Sequence, residues 1–341
     1  MNPQTALLIF GMGMLLVMFL FYPEKGIYYR WKKAILSTER VLIEDALKHL
    51  YDCEYRKVNC TLQSIAGNLE ISSDKAAKLV QRLESLRLIT SENSNLFLTP
   101  DGRSYALRVI RVHRLWEKFL ADETSVPEID WHTQAELKEH KLTPAQANAL
   151  AAKIGNPVID PHGDPIPTSE GNLPEHVGVL LTTLKTNDVA IITHIEDEPK
   201  TIYSQIIALG LHPGMQIRVI ENSQTRIVFD AEGDEKILAP SFAANITVEL
   251  IRDEEEIQKE FNTLSNLKPG EKAEVIRISN ALRGQQRRRL MDLGVVPGTI
   301  ISAEMVNPSG DLIAYRIKDA VIALRKNQTD HIFVKNIEDN D

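Results

Sequence analysis

The order of apolar and polar positions along this chain changes its period several times, and each change predicts a different element. Asn2 to Pro23 carries no charged side chain, and Thr5 to Tyr22 is almost wholly apolar. At 1.5 Å per residue, about 18 helical residues span about 27 Å, close to the thickness of a bilayer core. The segment starts without Lys or Arg and ends in Phe19-Leu20-Phe21-Tyr22, which favours an uncleaved anchor over a signal peptide. Lys25, Arg30, Lys32 and Lys33 follow, interleaved with Tyr28, Tyr29 and Trp31, in the manner of an interfacial belt with its positive charge inside. The chain is therefore expected to be a single-pass protein of the cytoplasmic membrane with its C-terminal domains in the cytoplasm.

Beyond the anchor, Leu42, Ile43, Ala46, Leu47 and Leu50 recur at helical spacing and predict a helix over residues 34–52. Thr61 is placed to cap a short helix running to Leu69. Ser72-Ser73-Asp74 offers a cap for a third helix with Ala76, Ala77, Leu79, Val80 and Leu83 on its inner face. Leu88-Ile89-Thr90 and Leu96 to Thr99 flank Ser91 to Asn95 as strand, turn and strand, and a helix is expected from Gly102 to Leu120. Three helices, a wing and a further helix are the order of a winged helix-turn-helix, whose third helix enters the major groove. Ser72, Asp74, Lys75, Lys78, Gln81 and Arg82 are then the candidate DNA-binding residues. The lysines and Arg82 suit phosphates or guanine edges, and Gln81 can read adenine. Helices over Trp131–Leu142 and Pro144–Ile154 precede a turn and linker rich in Pro, Gly and Asp at 156–174.

The last half of the chain repeats. Leu209-Gly210-Leu211-His212-Pro213-Gly214 returns as Leu293-Gly294-Val295-Val296-Pro297-Gly298, with Gly210 and Gly294, and Pro213 and Pro297, each 84 residues apart. Each copy has β-rich ends around a short helix, which predicts two small barrels. The charged stretch Asp253–Lys259 reads as a helical linker. The fold class expected is α+β multidomain. It has a transmembrane anchor and basic segment at 1–33, a winged helix-turn-helix at 34–110 and a helical metal-binding and dimerisation domain at 111–172. Two SH3-like β-barrels, at 177–252 and 264–338, are joined by a linker at 253–263.

Charge alters this picture in one place. The whole chain has a formal net charge of -8, which alone argues against nucleic acid. Glu24 to Val112, however, holds 15 Lys and Arg against 11 Asp and Glu, so the basic footprint sits beneath the predicted DNA-binding elements. The two cysteines, Cys53 and Cys60, match no zinc or redox spacing and read as buried reduced thiols.

The candidate chemistry lies in His113, Glu117, His132, Glu136, Glu139 and His140. His132, Glu136, Glu139 and His140 share one face of a helix, and His113 with Glu117 forms an i, i+4 pair on the helix before it. Imidazole and carboxylate donors suit Mn²⁺ or Fe²⁺, and the absence of a thiolate disfavours structural zinc. No nucleophile–base pairing or phosphate-cradling glycine loop points to an enzyme.

Residues 37 to about 170 resemble the diphtheria toxin repressor family of metal-dependent repressors, including its manganese-responsive branch. The resemblance rests on Asp45, on His113-Arg114-Leu115-Trp116-Glu117-Lys118-Phe119-Leu120, on Glu136-Leu137-Lys138-Glu139-His140, and on Asp160-Pro161-His162-Gly163-Asp164-Pro165-Ile166-Pro167. It implies one metal site of Asp45, Glu136, Glu139 and His140 with His113 shared or adjacent, and a second of His113, Glu117 and His132. Glu136 falls where iron-sensing members carry a cysteine, which implies the manganese branch. Lys48 stands where manganese sensors place a carboxylate of the first helix, and a protonated lysine cannot ligate. Glu198 lies near positions from which relatives draw ligands in a C-terminal barrel and is not assigned that role. The duplicated units are similar to the FeoA domain, and Gln285, Arg287, Arg288 and Arg289 offer a basic surface to a partner.

These features imply a homodimeric, metal-dependent repressor of metal-uptake genes that binds double-stranded DNA, uses Mn²⁺ or Fe²⁺, and is tethered to the membrane. The alternative is a membrane-anchored accessory protein of a ferrous iron permease, with the winged helix used for dimerisation. A carboxylate-bridged metal enzyme is the weaker third reading.

Overall fold

The computed structural model describes residues 4, 10, 12, 14, 38–174, 178–231, 233–251, 262–279 and 282–337. The described residues up to Val112, with Glu136–Pro144 and Pro167–Asn172, form one compact unit. His113–Ala135, Ala145–Ile166 and the described residues from Leu173 onward form the other.

In the first unit, helix α1 (Glu39–Tyr55) starts at Thr38, whose hydroxyl accepts from the Val41 amide. Helix α2 (Leu62–Asn68) opens with a reciprocal cap, in which the Thr61 and Ser64 side chains each accept from the other's backbone N–H. Helix α3 (Ser73–Ser85) is capped by Ser72. Leu47, Leu50, Ile65 and Leu83 are fully buried between these helices. Burial of each stabilises the unit by about 2 kcal/mol. The wing is tighter than the expected 91–95 turn. Strands β1 (Ile89–Glu92) and β2 (Asn95–Leu98) pair through Glu92 and Asn95, leaving only Asn93 and Ser94 in the turn. Both have positive φ, 49° and 68°, the conformation of a two-residue hairpin turn whose twist matches its strands.

Helix α4 (Pro100–Glu123) begins two residues before the expected Gly102, because Pro is pre-set for the first helical position. Helix α5 (Trp131–Glu139) stops three residues short of Leu142, closed by a turn in which the Lys141 amide donates to Lys138. Helix α6 spans Pro144–Lys153.

The repeat is a repeat of topology. Six antiparallel strands, β3 (Val179–Leu180), β4 (Val189–Ile195), β5 (Gln216–Asn222), β6 (Ile227–Ala231), β7 (Asp234–Leu238) and β8 (Ile246–Leu250), stand in the order β3-β8-β4-β5-β6-β7. Strands β9 (Asn262–Thr263), β10 (Lys272–Ile278), β11 (Ile300–Val306), β12 (Leu312–Ile317), β13 (Ala320–Arg325) and β14 (Ile332–Ile337) repeat it as β9-β14-β10-β11-β12-β13. Even the register shift between Val219 and Glu221 recurs between Ala303 and Met305. The repeated Leu-Gly pair is a helix stop. Helices α7 (Lys200–Ala208) and α9 (Gly284–Asp292) end at Leu209 and Leu293, and Gly210 and Gly294 follow with φ of 78° and 94°, where a side chain would be strained. A short helix, α8 (Pro240–Ala243), precedes β8, and α10 (Lys326–Thr329) precedes β14. Each sheet has its own core, centred on Phe229 and Tyr315.

The transmembrane part of the expected fold class is corrected here. Among the described residues no helix is long and apolar enough to cross a membrane. The longest, α4, has 24 residues but carries Arg103, Arg108, Arg111, Arg114, Glu117 and Lys118, which hydrocarbon would not admit unpaired. The apolar segment on which the anchor was predicated lies outside the described residues apart from Gln4, Phe10, Met12 and Met14. The expected single-pass localisation in the cytoplasmic membrane is corrected on the same ground; the permease neighbour rested on the same segment. The helical linker expected at Asp253–Lys259 also lies outside the described residues.

Candidate metal centres and nucleic-acid surface

The six candidate metal ligands read from spacing, with Asp45, separate into two clusters. The first belongs to α1 and the end of α5. Asp45, Glu139 and His140 bring one donor atom each within 4.8 Å of one another. His140 Nε2 is 3.2 Å from Asp45 and 3.4 Å from Glu139. Its Nδ1 donates to Glu44 at 2.6 Å. Glu44 went unnoticed in the sequence. It is only 1% exposed, and also accepts from Arg40 and from Tyr105, each at 2.8 Å. Burial works to raise its carboxyl, but the hydrogen bonds from His140, Arg40 and Tyr105 hold it below the usual range. Burial likewise opposes charge on His140, yet bonds to Asp45 and Glu44 and the charge of Glu139 raise it to about 9.

Lys48 enters this cluster as a cation. Its ammonium donates to both oxygens of Glu139, at 2.8 and 2.9 Å, and Glu139 is 3% exposed. Burial would lower the lysine, but Glu139, Glu136 and Asp45 raise it. Glu136, half-buried on α5, thus acts on the cluster by charge, and the three-donor group does not include it. A metal ion added here would lie beside a fixed ammonium, and near a protein surface each unit of like charge at about 4 Å repels by about 4 kcal/mol. The donor set matches a metal in kind, but its charge is already met by the chain.

The second cluster gathers residues from four segments of the other unit. His113 and Glu117 come from α4, His132 from α5, His162 from the 159–166 turn, and Asp197 and Glu198 from the loop after β4. Glu117, 2% exposed, lies 3.0 Å from His113 Nε2, 3.4 Å from His132 Nδ1 and 3.8 Å from His162 Nε2. Asp197 is 2.7 Å from His132 Nδ1 and 3.9 Å from His162 Nε2, and Glu198 is 3.2 Å from His132 Nε2. Burial would raise both Glu117 and Asp197, but the surrounding imidazoles hold them low, Glu117 well below the carboxylate range.

His162 is the informative member. The Tyr203 hydroxyl has one proton, which it donates to Glu128 at 2.6 Å, so its oxygen accepts from His162 Nδ1 at 2.9 Å. In a neutral ring this places the lone pair on Nε2, which is buried, makes no hydrogen bond, and faces Glu117 and Asp197. A lone pair directed between two carboxylates is satisfied by a cation. Glu117, His162 and Asp197 each present a ligand atom within 4.8 Å of the others, as do His113, Glu117 and His132. These nitrogen and oxygen donors fit Mn²⁺ or Fe²⁺.

The turn that carries His162 is rigid for reasons visible in its sequence. Asp160 Oδ1 accepts from the amides of His162 and Asp164, each at 2.9 Å, and Arg114 donates to the Pro165 carbonyl and pairs with Asp164. Gly163, with φ of 100°, packs so closely on β4 that a Cβ would come within 1.9 Å of the Thr193 carbonyl oxygen. His162 and Asp197 were not singled out as candidate donors, and Glu198 was noted but given no role. His162 sits in a motif read only as a turn, and the other two lie more than sixty residues beyond His132, where no spacing rule reaches. His132, on the same helix as Glu136 and Glu139, lies beside His113 and Glu117, the residues with which the resemblance grouped it, and beside Asp197.

On α3, Lys75, Lys78 and Gln81 are exposed on the outer face. Ser72 is the cap, Asp74 lies in the first turn where a carboxylate suits the helix dipole, and Arg82 pairs with Glu39 at 2.8 Å. The basic face proposed for α9 is in part used internally: Arg288 pairs with Glu123, and Arg287 donates to the Ile278 and Ser279 carbonyls. Cys53 and Cys60 are buried free thiols grouped with His49, and burial beside Cys60 pushes the Cys53 thiol up to about 12.

Comparison with known proteins places this geometry. Residues 99–168 match the family described as iron dependent repressor, metal binding and dimerisation domain. Residues 179–250 and 262–336 each match the FeoA domain. The iron-dependent repressor IdeR of Mycobacterium leprae is 28% identical over 208 residues, covering 57% of this chain and 90% of that protein. The diphtheria toxin repressor of Corynebacterium glutamicum is 27% identical over 216 residues, covering 60% and 94%. A solved manganese-dependent transcriptional repressor in complex with manganese has a TM-score of 0.57 at 25% identity, covering 61% of this chain and 99% of its own. The IdeR of T. acidophilum has a TM-score of 0.52 at 27% identity, covering 61% and 97%.

Proposed function

We propose that the chain, a relative of the diphtheria toxin repressor family of metal-dependent repressors with two FeoA domains, represses transcription as a Mn²⁺- or Fe²⁺-responsive, DNA-binding homodimer. It acts by binding and not by catalysis. The observation that carries the metal half of this reading is the buried, unbonded Nε2 of His162 facing Glu117 and Asp197. These three residues, with His113 and His132, would hold the ion. Bound there, it would add positive charge between buried Glu117 and partly buried Asp197.

The chain's own residues prepare that site. Tyr203 fixes the tautomer of His162, as an outer partner does for a metal-ligating imidazole. Asp160 and Arg114 hold the turn, and Asp197 ties the loop after β4 to the helices that bear His132 and Glu117. On the DNA side, Lys75, Lys78 and Gln81 would meet the major groove, and a dimer would present two such helices to half-sites about 34 Å apart. Metal-dependent repression is what the relatives are named for, and metal-uptake genes are the targets we propose.

The test is binding of the full-length chain to promoter fragments from its own genomic neighbourhood, at fixed salt, with Mn²⁺, Fe²⁺ or chelator. Retention should require metal and should vanish in the Lys75→Ala, Lys78→Ala double variant. Equal binding under chelator, or no specific binding with either metal, contradicts the proposal.

A further inference from the structure

We infer that Lys48 is the resident cation of the Asp45–Glu139–His140 cluster, holding the place an ion would take, so that this cluster is closed without metal and the chain's metal response passes through the Glu117–His162–Asp197 cluster alone. The second half of this inference rests on the function proposed above; the first half does not.

The argument is one of charge and position. Lys48 and Glu139 are 91 residues apart, on α1 and at the end of α5, and the ammonium reaches both carboxylate oxygens at hydrogen-bond distance. That is what a divalent ion bridging α1 to α5 would do with the same carboxylate. The remaining donors are also engaged by the chain: His140 lies between Glu44 and Asp45, and Glu44 is further held by Arg40 and Tyr105. A lysine on a flexible stem is a poor substitute in most bidentate roles, but here its stem is held in the α1–α5 packing and only about a quarter of the side chain is exposed. In the other cluster Glu117 and Asp197 face His113, His132 and His162, imidazoles whose charge depends on a proton.

The experiment counts Mn²⁺ per full-length chain after equilibrium dialysis, by elemental mass spectrometry. Wild type should retain one ion, unchanged in Glu139→Ala and lost in His162→Ala, and Lys48→Glu should retain one more than wild type. Two ions in wild type, one surviving His162→Ala and lost in Glu139→Ala, would overturn the inference. So would a Lys48→Glu chain that is folded by circular dichroism and gains no ion. If Lys48→Glu does not fold, the comparison of wild type with Glu139→Ala decides. A wild type with no ion beside a Lys48→Glu chain with one would remove the function proposed for the Glu117 cluster and leave the role of Lys48 standing.

Discussion

Two clusters of histidine and carboxylate in this chain balance their charge by different means. Around Glu139 and Glu44 the counter-charges are permanent, from Lys48 and Arg40, and His140 adds to them. Around Glu117 and Asp197 the close partners are the imidazoles of His113, His132 and His162, and His162 Nε2 makes no hydrogen bond. The same residue types at similar burial therefore do different work. On the reading proposed here, the first arrangement holds elements together whatever the metal supply, whereas the second would be completed by an ion. Among the cluster's donors the difference centres on Lys48, whose ammonium meets Glu139 directly.

Four outcomes would break or sharpen that contrast. The largest is expected from Lys48→Met, which takes the ammonium from buried Glu139 and leaves His140 as its neighbour. Metal-free stability should fall by about 3 kcal/mol, at the low end for a broken buried pair because the lysine is partly exposed. Excess Mn²⁺ should restore part of it, read by denaturant unfolding with and without metal. A Lys48→Met chain as stable as wild type would mean that the ammonium holds nothing together.

Glu117→Ala comes next. Loss of a central ligand should weaken Mn²⁺ binding by on the order of 100-fold or more, beyond what loss of an outer partner costs. Isothermal titration would read it, and an unchanged affinity would move the ion elsewhere.

The clusters should also weaken at opposite ends of the pH scale. The folded His140 is raised from its ordinary 6.5 to about 9, so its contribution is complete below about 6.5 and lost as pH rises through about 9. Glu117 is depressed below its ordinary 4.5, so its contribution is complete above that value and lost as pH falls through the lower folded one. Metal-free stability should therefore drop by about 2 kcal/mol between pH 6.5 and 9.5. His140→Gln should flatten that slope, and thermal unfolding across the range measures it. A slope of the same size in His140→Gln would assign it to another group.

The smallest effect is expected from Tyr203→Phe. It removes the hydroxyl that accepts from His162 Nδ1, and should weaken Mn²⁺ binding roughly tenfold while leaving the fold intact. No change in affinity would mean that the tautomer of His162 is set by other means.

Much of the scaffold was legible because local chemistry dictates it. Thr61 and Ser72 were readable as caps, Leu79 and Leu83 as an inner helix face, and the Leu-Gly pairs as a repeated unit, since a helix stop in positive φ needs glycine. The wing was readable as a hairpin, though its turn proved two residues long. The sites were legible only as far as spacing along a helix could carry. His132, Glu136, Glu139 and His140 look alike on a wheel, yet His132 meets Glu117 and Asp197 while Glu139 meets Lys48, because their partners come from distant segments. Glu44 reads as an ordinary polar position on α1 and becomes a buried acceptor only through Tyr105 and His140. Hydropathy alone suggested a membrane anchor, and no described helix has the length and apolarity to cross a bilayer.

The most direct test of the central claim is DNA binding by the full-length chain during a Mn²⁺ titration, followed by fluorescence anisotropy for wild type, His162→Ala and Glu139→Ala. The account predicts that Mn²⁺ drives binding in wild type and in Glu139→Ala, and that His162→Ala no longer responds. A His162→Ala chain that still responds to Mn²⁺, with Glu139→Ala silent, would contradict it and return the metal switch to the cluster that Lys48 occupies.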